Sequence, residues 1–219
     1  MPRTPVILVT GFEPFGGSPE NPSELLVRRL GGFPTGPAEV VGAVLPVVGG
    51  AGAGSARAAL DHLIDVHRPD ACVSFGEAHV RGEVSVERLA VNLRDYRIPD
   101  NAGRMVGEQP VVDGAPDARF ASLPVHEIIE AVRTSGVPVG HSMSAGTFLC
   151  NEVMFHALER SAREGVPAIA GFVHLPQLVS QHRNRPCDAR PISEDELLRA
   201  GRAVLEAVAA RIMQLRDEA

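Results

Sequence analysis

Tryptophan is missing from this 219-residue chain and tyrosine occurs once, so eight phenylalanines supply nearly all of its aromatic surface. Cysteine is scarce too. Three residues, at positions 72, 150 and 187, are too few and too scattered for a disulfide framework, and none stands in the Cys-x-x-Cys spacing of zinc or iron–sulfur sites. No apolar run approaches the ~18 residues of a membrane-spanning helix. The run from Val6 to Val9, behind Met1–Pro5, is far too short for a signal peptide. An excess of basic charge is also absent: 21 Lys and Arg face 27 Asp and Glu, for a net charge of −6. Without a basic stripe to neutralise phosphates, nucleic acid is not an expected partner. These absences point to a cytoplasmic protein with reduced thiols, engaging neither membrane nor nucleic acid.

What is present is an ordinary globular balance, 44% hydrophobic and 22% charged, in a length that fits one α/β domain over residues 1–219. The segments 6–10 and 70–75 hold short continuous apolar runs, each stopped by a glycine, as in parallel strands buried on both faces. Further strands are expected over 39–44, 137–142 and 168–174, with a strand or hairpin arm over 84–93. Helices are expected over 21–30, with proline in the first turn, and over 51–67, 124–134, 147–164 and 193–217. Ser193 to Glu196 supplies a capping box for the last of them. Residues 95–121, rich in Gly, Pro, Asp and Asn, read as a long structured excursion. Strands alternating with long helices imply a mainly parallel open sheet with helices on both faces.

In such a sheet, ligands bind beyond the carboxyl ends of the strands. Three of those ends carry unusual residues: the loop Gly11–Gly17, the pair Gly76-Glu77, and His174. The first loop lacks the Gly-Lys-Ser/Thr ending of a phosphate loop, and Gly49–Gly54 falls outside the register of a dinucleotide fingerprint. Cys150 follows a Gly-Thr turn and precedes Val153, Met154, Ala157 and Leu158 at helical spacing. It therefore falls in a first helical turn, where unpaired N–H groups and the dipole favour a thiolate. With the strand-end His174 it makes a candidate nucleophile and base. A packed helix cysteine and an unrelated core histidine fit the same residues. Phe12 and Phe15 read either as core plugs or as walls of an apolar pocket.

Six stretches can then be taken together: Gly11–Gly17, Asn21–Ser23, Glu87–Asn92, Arg97–Asn101, Gly146–Asn151 and Phe172–Pro176. In this order, across nearly the whole chain, they closely resemble the pyroglutamyl peptidase I family. The resemblance implies a cysteine peptidase that removes an N-terminal 5-oxoproline from peptides, without metal or cofactor, usually as a homotetramer. By matching position, it makes Cys150 the nucleophile, His174 the general base and Glu87 the group that orients the imidazole. Arg97 matches an arginine that helps hold the oxyanion. Phe12, Phe15 and Phe148 match residues lining the pyrrolidone pocket, and Asn21 an asparagine in the loop beside it.

Glu77 departs from the pattern, since the family often carries glutamine there, facing the lactam. An ionised carboxylate accepts the lactam N–H but cannot donate to the ring carbonyl. It calls for a raised pKa or a cation beside it, with His79 and Arg81 near in sequence. It also opens a second specificity, for an unmodified N-terminal residue such as proline, whose ammonium a carboxylate attracts. Other readings stand beside these. Glu87 fits a surface ion pair with Arg88, and Arg97 a loop arginine holding Asp95 or Asp100. Cys72 reads as a small core residue, and Cys187, in the polar 183–188 loop, as an inert surface thiol or an interface residue. A silent lactam or peptide-end binder and a phosphorylase-like enzyme are the remaining alternatives, the latter lacking an anion cradle.

Overall fold

The computed structural model describes residues 3–184 and 187–218. Met1 and Pro2, at the N-terminus read for a leader, and Arg185 and Pro186, within the 183–188 loop, lie outside the described residues, as does Ala219.

The strand β1 (Val6–Phe12) is buried at every position but the first, and its side chains divide between two cores. Ile7 and Val9 face one cluster and Leu8 the other, as the period of two requires. Parallel to it lie β2 (Glu39–Leu45) on one side and β3 (Ala71–Glu77) on the other. Beyond β3 comes β8 (Ile169–Leu175), also parallel and buried at all seven positions. β4 (Val84–Glu87) runs antiparallel to β8 and parallel to β7 (Val139–Ser142), giving the order β2-β1-β3-β8-β4-β7. The expected mainly parallel sheet is present, with one antiparallel junction at β4.

On one face, α1 (Pro22–Leu30), α3 (Val125–Thr134) and α6 (Glu194–Asp217) cover the first cluster. On the other, α2 (Ala56–His67) and α4 (Leu149–Glu164) cover the second. Asn21 caps α1 by accepting from the Ser23 N–H at 3.0 Å, and Pro22 sits where its missing N–H costs nothing. The helix expected from residue 51 begins at Ala56 instead. Gly50 and Gly54 take positive φ, and Ser55 caps the helix through the Ala58 N–H at 3.1 Å. The single arm expected over 84–93 divides: β4 stays in the main sheet, while β5 (Leu89–Val91) pairs antiparallel with β6 (Ala118–Phe120) from the far end of the excursion. A short helix, α5 (Val179–Asn184), follows β8 and was not foreseen.

The excursion itself is pinned. Asp100 accepts from the backbone N–H groups of Gly49, Ala102 and Arg104 at 3.0, 3.0 and 2.9 Å. The Tyr96 hydroxyl donates to the fully buried Glu152 of α4, which also accepts from the Gly50 N–H at 2.7 Å. Asn151 bonds Val91 through both backbone groups and the Leu93 carbonyl, each at 2.9 Å, tying β5 and its exit to α4.

Candidate active site

The carboxyl ends of β1, β3 and β8 meet the start of α4 around a cavity of about 580 Å³. Cys150 is the second residue of α4. Phe148 is the N-cap but offers no side-chain acceptor, and the Thr147 hydroxyl donates away to the Asp95 carbonyl at 2.6 Å. The first N–H groups of α4 are thus left without a side-chain cap beside the thiol, which is where a developing anion is best received.

His174 lies on β8 directly across from Gly76 of β3. A Cβ built at Gly76 would stand 3.0 Å from the Cys150 Sγ and 2.7 Å from Phe172 Cζ. Only glycine leaves the sulfur room to settle over the strand at the residue that pairs with His174. Cys150 and His174 both line the cavity. On the other side of β8, Ser85 of β4 pairs with His174, and Glu87 shares its face two residues on. The Glu87 carboxylate is fully buried, and its Oε1 lies 2.7 Å from His174 Nδ1. The Arg81 guanidinium donates to the same oxygen and, through Nη2, to the Ser144 carbonyl at 2.8 Å.

The protonation states follow. Burial works to raise the Glu87 pKa, but the His174 hydrogen bond and the Arg81 charge beside it hold it below the ordinary value, so it is ionised. Burial pushes His174 down, and this outweighs the opposing pull of Glu87; the Arg81 charge adds to the lowering. His174 is therefore neutral near pH 7, with Nδ1–H donating to Glu87 and Nε2 left as the proton acceptor. Burial pushes the Cys150 thiol up to about 12, with the Glu87 charge adding to it and Arg81 opposing. The helix start, which by sequence favours a thiolate, is thus opposed by the burial of the sulfur, and desolvation is the larger effect on the thiol.

The remaining candidates divide. Phe15 and Phe148 line the cavity with ring centroids 6.1 Å apart, and Tyr96 meets Phe148 edge-on at 4.8 Å from the core side. Phe12 does not line it: it is 3% exposed, packed in the core 6.3 Å from the Phe172 ring, because alternation along β1 turns it inward. Asn21 is likewise buried away from the cavity, spending its amide on the cap and on the Glu13 carbonyl at 3.1 Å. It braces the loop that carries Phe15. Arg97 lines the cavity, is exposed, and has no hydrogen-bond or ion-pair partner among the described residues. Neither Asp95 nor Asp100 holds it; Asp100 pairs with Arg104 at 3.2 Å. Glu77 lines the cavity, and its Oε2 accepts from Gln181 Nε2 of α5 at 2.8 Å. Arg81, a cation considered for Glu77, goes to Glu87.

Sequence reasoning missed the placement of Arg81, Gln181 and Asn151. Arg81 and Glu87 are six residues apart across a strand start, a separation with no helical or strand periodicity to draw them together. Gln181 sits in a helix too short to announce itself. Among the described residues, no group of three or more His, Cys, Asp or Glu is placed to hold a metal ion, no helix is long and apolar enough to cross a membrane, and all three cysteines are unpaired. Cys72 is buried in mid-strand, its thiol pushed up to about 12 by burial.

Comparison with known proteins places this geometry in company. The family described as pyroglutamyl peptidase matches residues 6–211. A pyrrolidone-carboxylate peptidase of Pyrococcus furiosus is 43% identical over 175 residues, covering 80% of this chain and 82% of its own. Pyrrolidone-carboxylate peptidase 1 of Ralstonia nicotianae is 38% identical over 214 residues, 97% of each chain. A crystal structure of the pyrrolidone carboxyl peptidase from Pyrococcus furiosus superposes with a TM-score of 0.89 at 38% identity, covering 94% of this chain and 99% of that one.

Proposed function

The chain belongs to the pyroglutamyl peptidase family, and on that premise we propose that it removes N-terminal pyroglutamate from peptides through Cys150, His174 and Glu87. The observation that carries this reading is the buried His174–Glu87 pair at 2.7 Å beside a cysteine at an uncapped helix start. His174 Nε2 takes the thiol proton as Sγ attacks the carbonyl carbon that joins pyroglutamate to the next residue. Glu87 fixes the tautomer and stabilises the imidazolium that forms. The oxyanion is met by the Cys150 N–H and by Arg97, whose guanidinium is unengaged among the described residues, donors of the kind that supply the largest part of such a barrier's reduction. His174 then gives its proton to the leaving amine, and the C–N bond breaks. Water deprotonated by the same imidazole attacks the thioester, releasing pyroglutamate and restoring the thiol.

A pyroglutamyl end carries no ammonium, so an apolar wall of Phe15 and Phe148 suits its ring, with Glu77 accepting the lactam N–H. One observation favours a second reading: Glu77 presents a carboxylate, held by Gln181, to a cavity that would also take the ammonium of an N-terminal proline. The enzyme is assigned to the cytoplasm, where its three unpaired cysteines stay reduced, and to a homotetramer by family resemblance. The proposed steps use protein groups and water, with no metal or cofactor.

Release of a chromophoric amine from pyroglutamyl and prolyl derivatives, by wild type and Cys150→Ala at pH 7 to 8, tests the reading. Pyroglutamyl cleavage lost in the variant is expected. Prolyl cleavage instead supports the second reading, in which case Glu77→Gln must abolish it. A folded protein that turns over neither is a binder, not a peptidase.

A further inference from the structure

We propose that Arg81 is a positioning residue: it clamps Glu87 to the loop that leads into Cys150 and keeps His174 in its neutral, proton-accepting form. The proposal rests on the peptidase reading above and adds to it a fourth side chain, which touches Cys150 only through others.

The geometry is a two-ended clamp. One arm of the planar guanidinium donates to Glu87 Oε1 on β4, and the other donates to the Ser144 carbonyl at 2.8 Å. Ser144 belongs to the turn that delivers α4: its Oγ accepts from the Gly146 N–H at 3.2 Å, four residues before the nucleophile. A single side chain therefore sets the distance between the carboxylate that orients the imidazole and the turn that places the thiol. Arginine suits this because its donors lie in a fixed plane, whereas an ammonium is a point charge.

The electrostatics require a permanent cation here. Glu87 is fully buried, its Oε1 carries two donors, and its Oε2 has no partner among the described residues. A buried, half-satisfied carboxylate stays ionised only beside a compensating charge. Its two ion-pair neighbours are His174 and Arg81. His174 must be neutral at rest to act as a base, so it cannot supply that charge. Arg81 can, being charged at every working pH.

The same charge reaches the reacting pair. Among the described residues, the charged and titratable groups that line the cavity with His174 are Glu77, His79, Arg81, Asp95, Arg97 and Cys150, with Glu87 of β4 bonded to the imidazole from behind. Of the two fixed cations, Arg81 and Arg97, only Arg81 is bonded to Glu87. It opposes protonation of the imidazole and eases ionisation of the thiol. Both effects favour the competent state, neutral base beside attackable sulfur, at lower pH. A merely structural ion pair would do neither.

The test compares Arg81→Gln, which removes the charge, with Arg81→Lys, which keeps it but cannot span both acceptors. Two profiles are measured against pH: kcat/KM on a pyroglutamyl amide, and the rate of Cys150 alkylation by iodoacetamide, located by peptide mass. For Arg81→Gln the acidic limb of kcat/KM moves to higher pH, because a neutral His174 is then reached later. Activity falls about tenfold on the acid side and recovers in part toward alkaline pH, a fraction of the ~10²–10⁴ that proton transfer supplies. Its alkylation profile moves the same way. Arg81→Lys keeps both profiles in place and loses kcat/KM by one factor at every pH.

A uniform loss in Arg81→Gln with unmoved limbs overturns the proposal and leaves Arg81 a structural ion pair. If Arg81→Gln fails to fold by circular dichroism, displaced limbs in Arg81→Lys overturn it instead, since the charge would then not be the cause. A wild type that cleaves no pyroglutamyl substrate defeats the peptidase reading alone, for the alkylation profiles still decide the role of Arg81.

Discussion

At the scale of single residues the account turns on where protons reside. A base must be neutral to act, and burial lowers the His174 pKa, so kcat/KM is expected to hold at neutral pH and fall only below the ordinary histidine value of about 6.5. An acidic limb well above that value would mean that Glu87 wins over burial. Glu87→Gln presents an amide where a carboxylate accepts from Nδ1–H, so the wrong tautomer is favoured. A kcat reduced by about 10³-fold or more with KM little changed is the expected outcome, measured by steady-state kinetics. Part of this arrangement was legible in the sequence, as a cysteine after Gly-Thr and a histidine closing an apolar strand; Glu87 read by itself as a surface ion pair, and only the family resemblance pointed to its place beside the imidazole. What was not legible depended on direction. Phe12 and Phe15 stand three apart around a proline and look alike in sequence. Strand alternation buries the first while the loop turns the second to the cavity. The surroundings of the Cys150 thiol were not legible either, because burial has no sequence signature.

Between elements, the site is a matter of spacing. A Cβ at Gly76 would strike the Phe172 ring of β8 at 2.7 Å and crowd the Cys150 Sγ of α4 at 3.0 Å, so both elements close on β3 there. Gly76→Ala is expected to leave the fold intact while lifting the start of α4 off the strand, with a loss of kcat of about tenfold or more, since small misplacements of reacting groups are costly. A Gly76→Ala enzyme of wild-type kcat would show that the strand–helix distance is not critical. The same close approach recurs at Gly11, where a Cβ would meet the Ser23 carbonyl at 2.4 Å, so α1 also starts against a strand end. Helix positions were legible from apolar spacing and caps, α6 down to its reciprocal Ser193–Glu196 box. The division of residues 84–93 between two sheets was not, because β5 finds its partner in β6, far along a segment that gives no strand signal of its own.

Across the whole molecule, carboxylates that the fold holds in ionised form tie helices, loops and a helix cap together around the two cores. Asp61, Asp100 and Glu159 sit below their ordinary pKa despite the upward push of burial, held down by His156 and Arg160, by backbone N–H groups and Arg104, and by Arg119 and Arg163 respectively. Glu196 is lowered to about 2, chiefly by the Ser193 N–H. Depressed folded-state values contribute stability that is present above the unfolded pKa, about 4 for these groups, and lost as pH falls through the folded values. Thermal midpoints followed by circular dichroism, which suits a chain without tryptophan, are therefore expected to fall steeply between pH ~4 and ~2. Glu196→Gln should flatten part of that fall, and midpoints constant down to pH 2 would contradict the assignment. The topology was legible in outline, since buried apolar runs between helices leave few alternatives to a parallel sheet covered on both faces. The reversal at β4 has its signal in loop length alone: the segment between Glu77 and Val84 is too short for a crossover helix, so β4 runs against β3, and an expectation built on alternating strands and helices passed over it.

The most direct test of the central claim is to quench a pyroglutamyl ester or amide reaction in acid within the first turnover and weigh the peptides. A pyroglutamyl thioester on the Cys150 peptide, present in wild type and missing in Cys150→Ala, is the result this account requires. Turnover with no acyl group on Cys150, or with the group on Cys72 or Cys187, would contradict it.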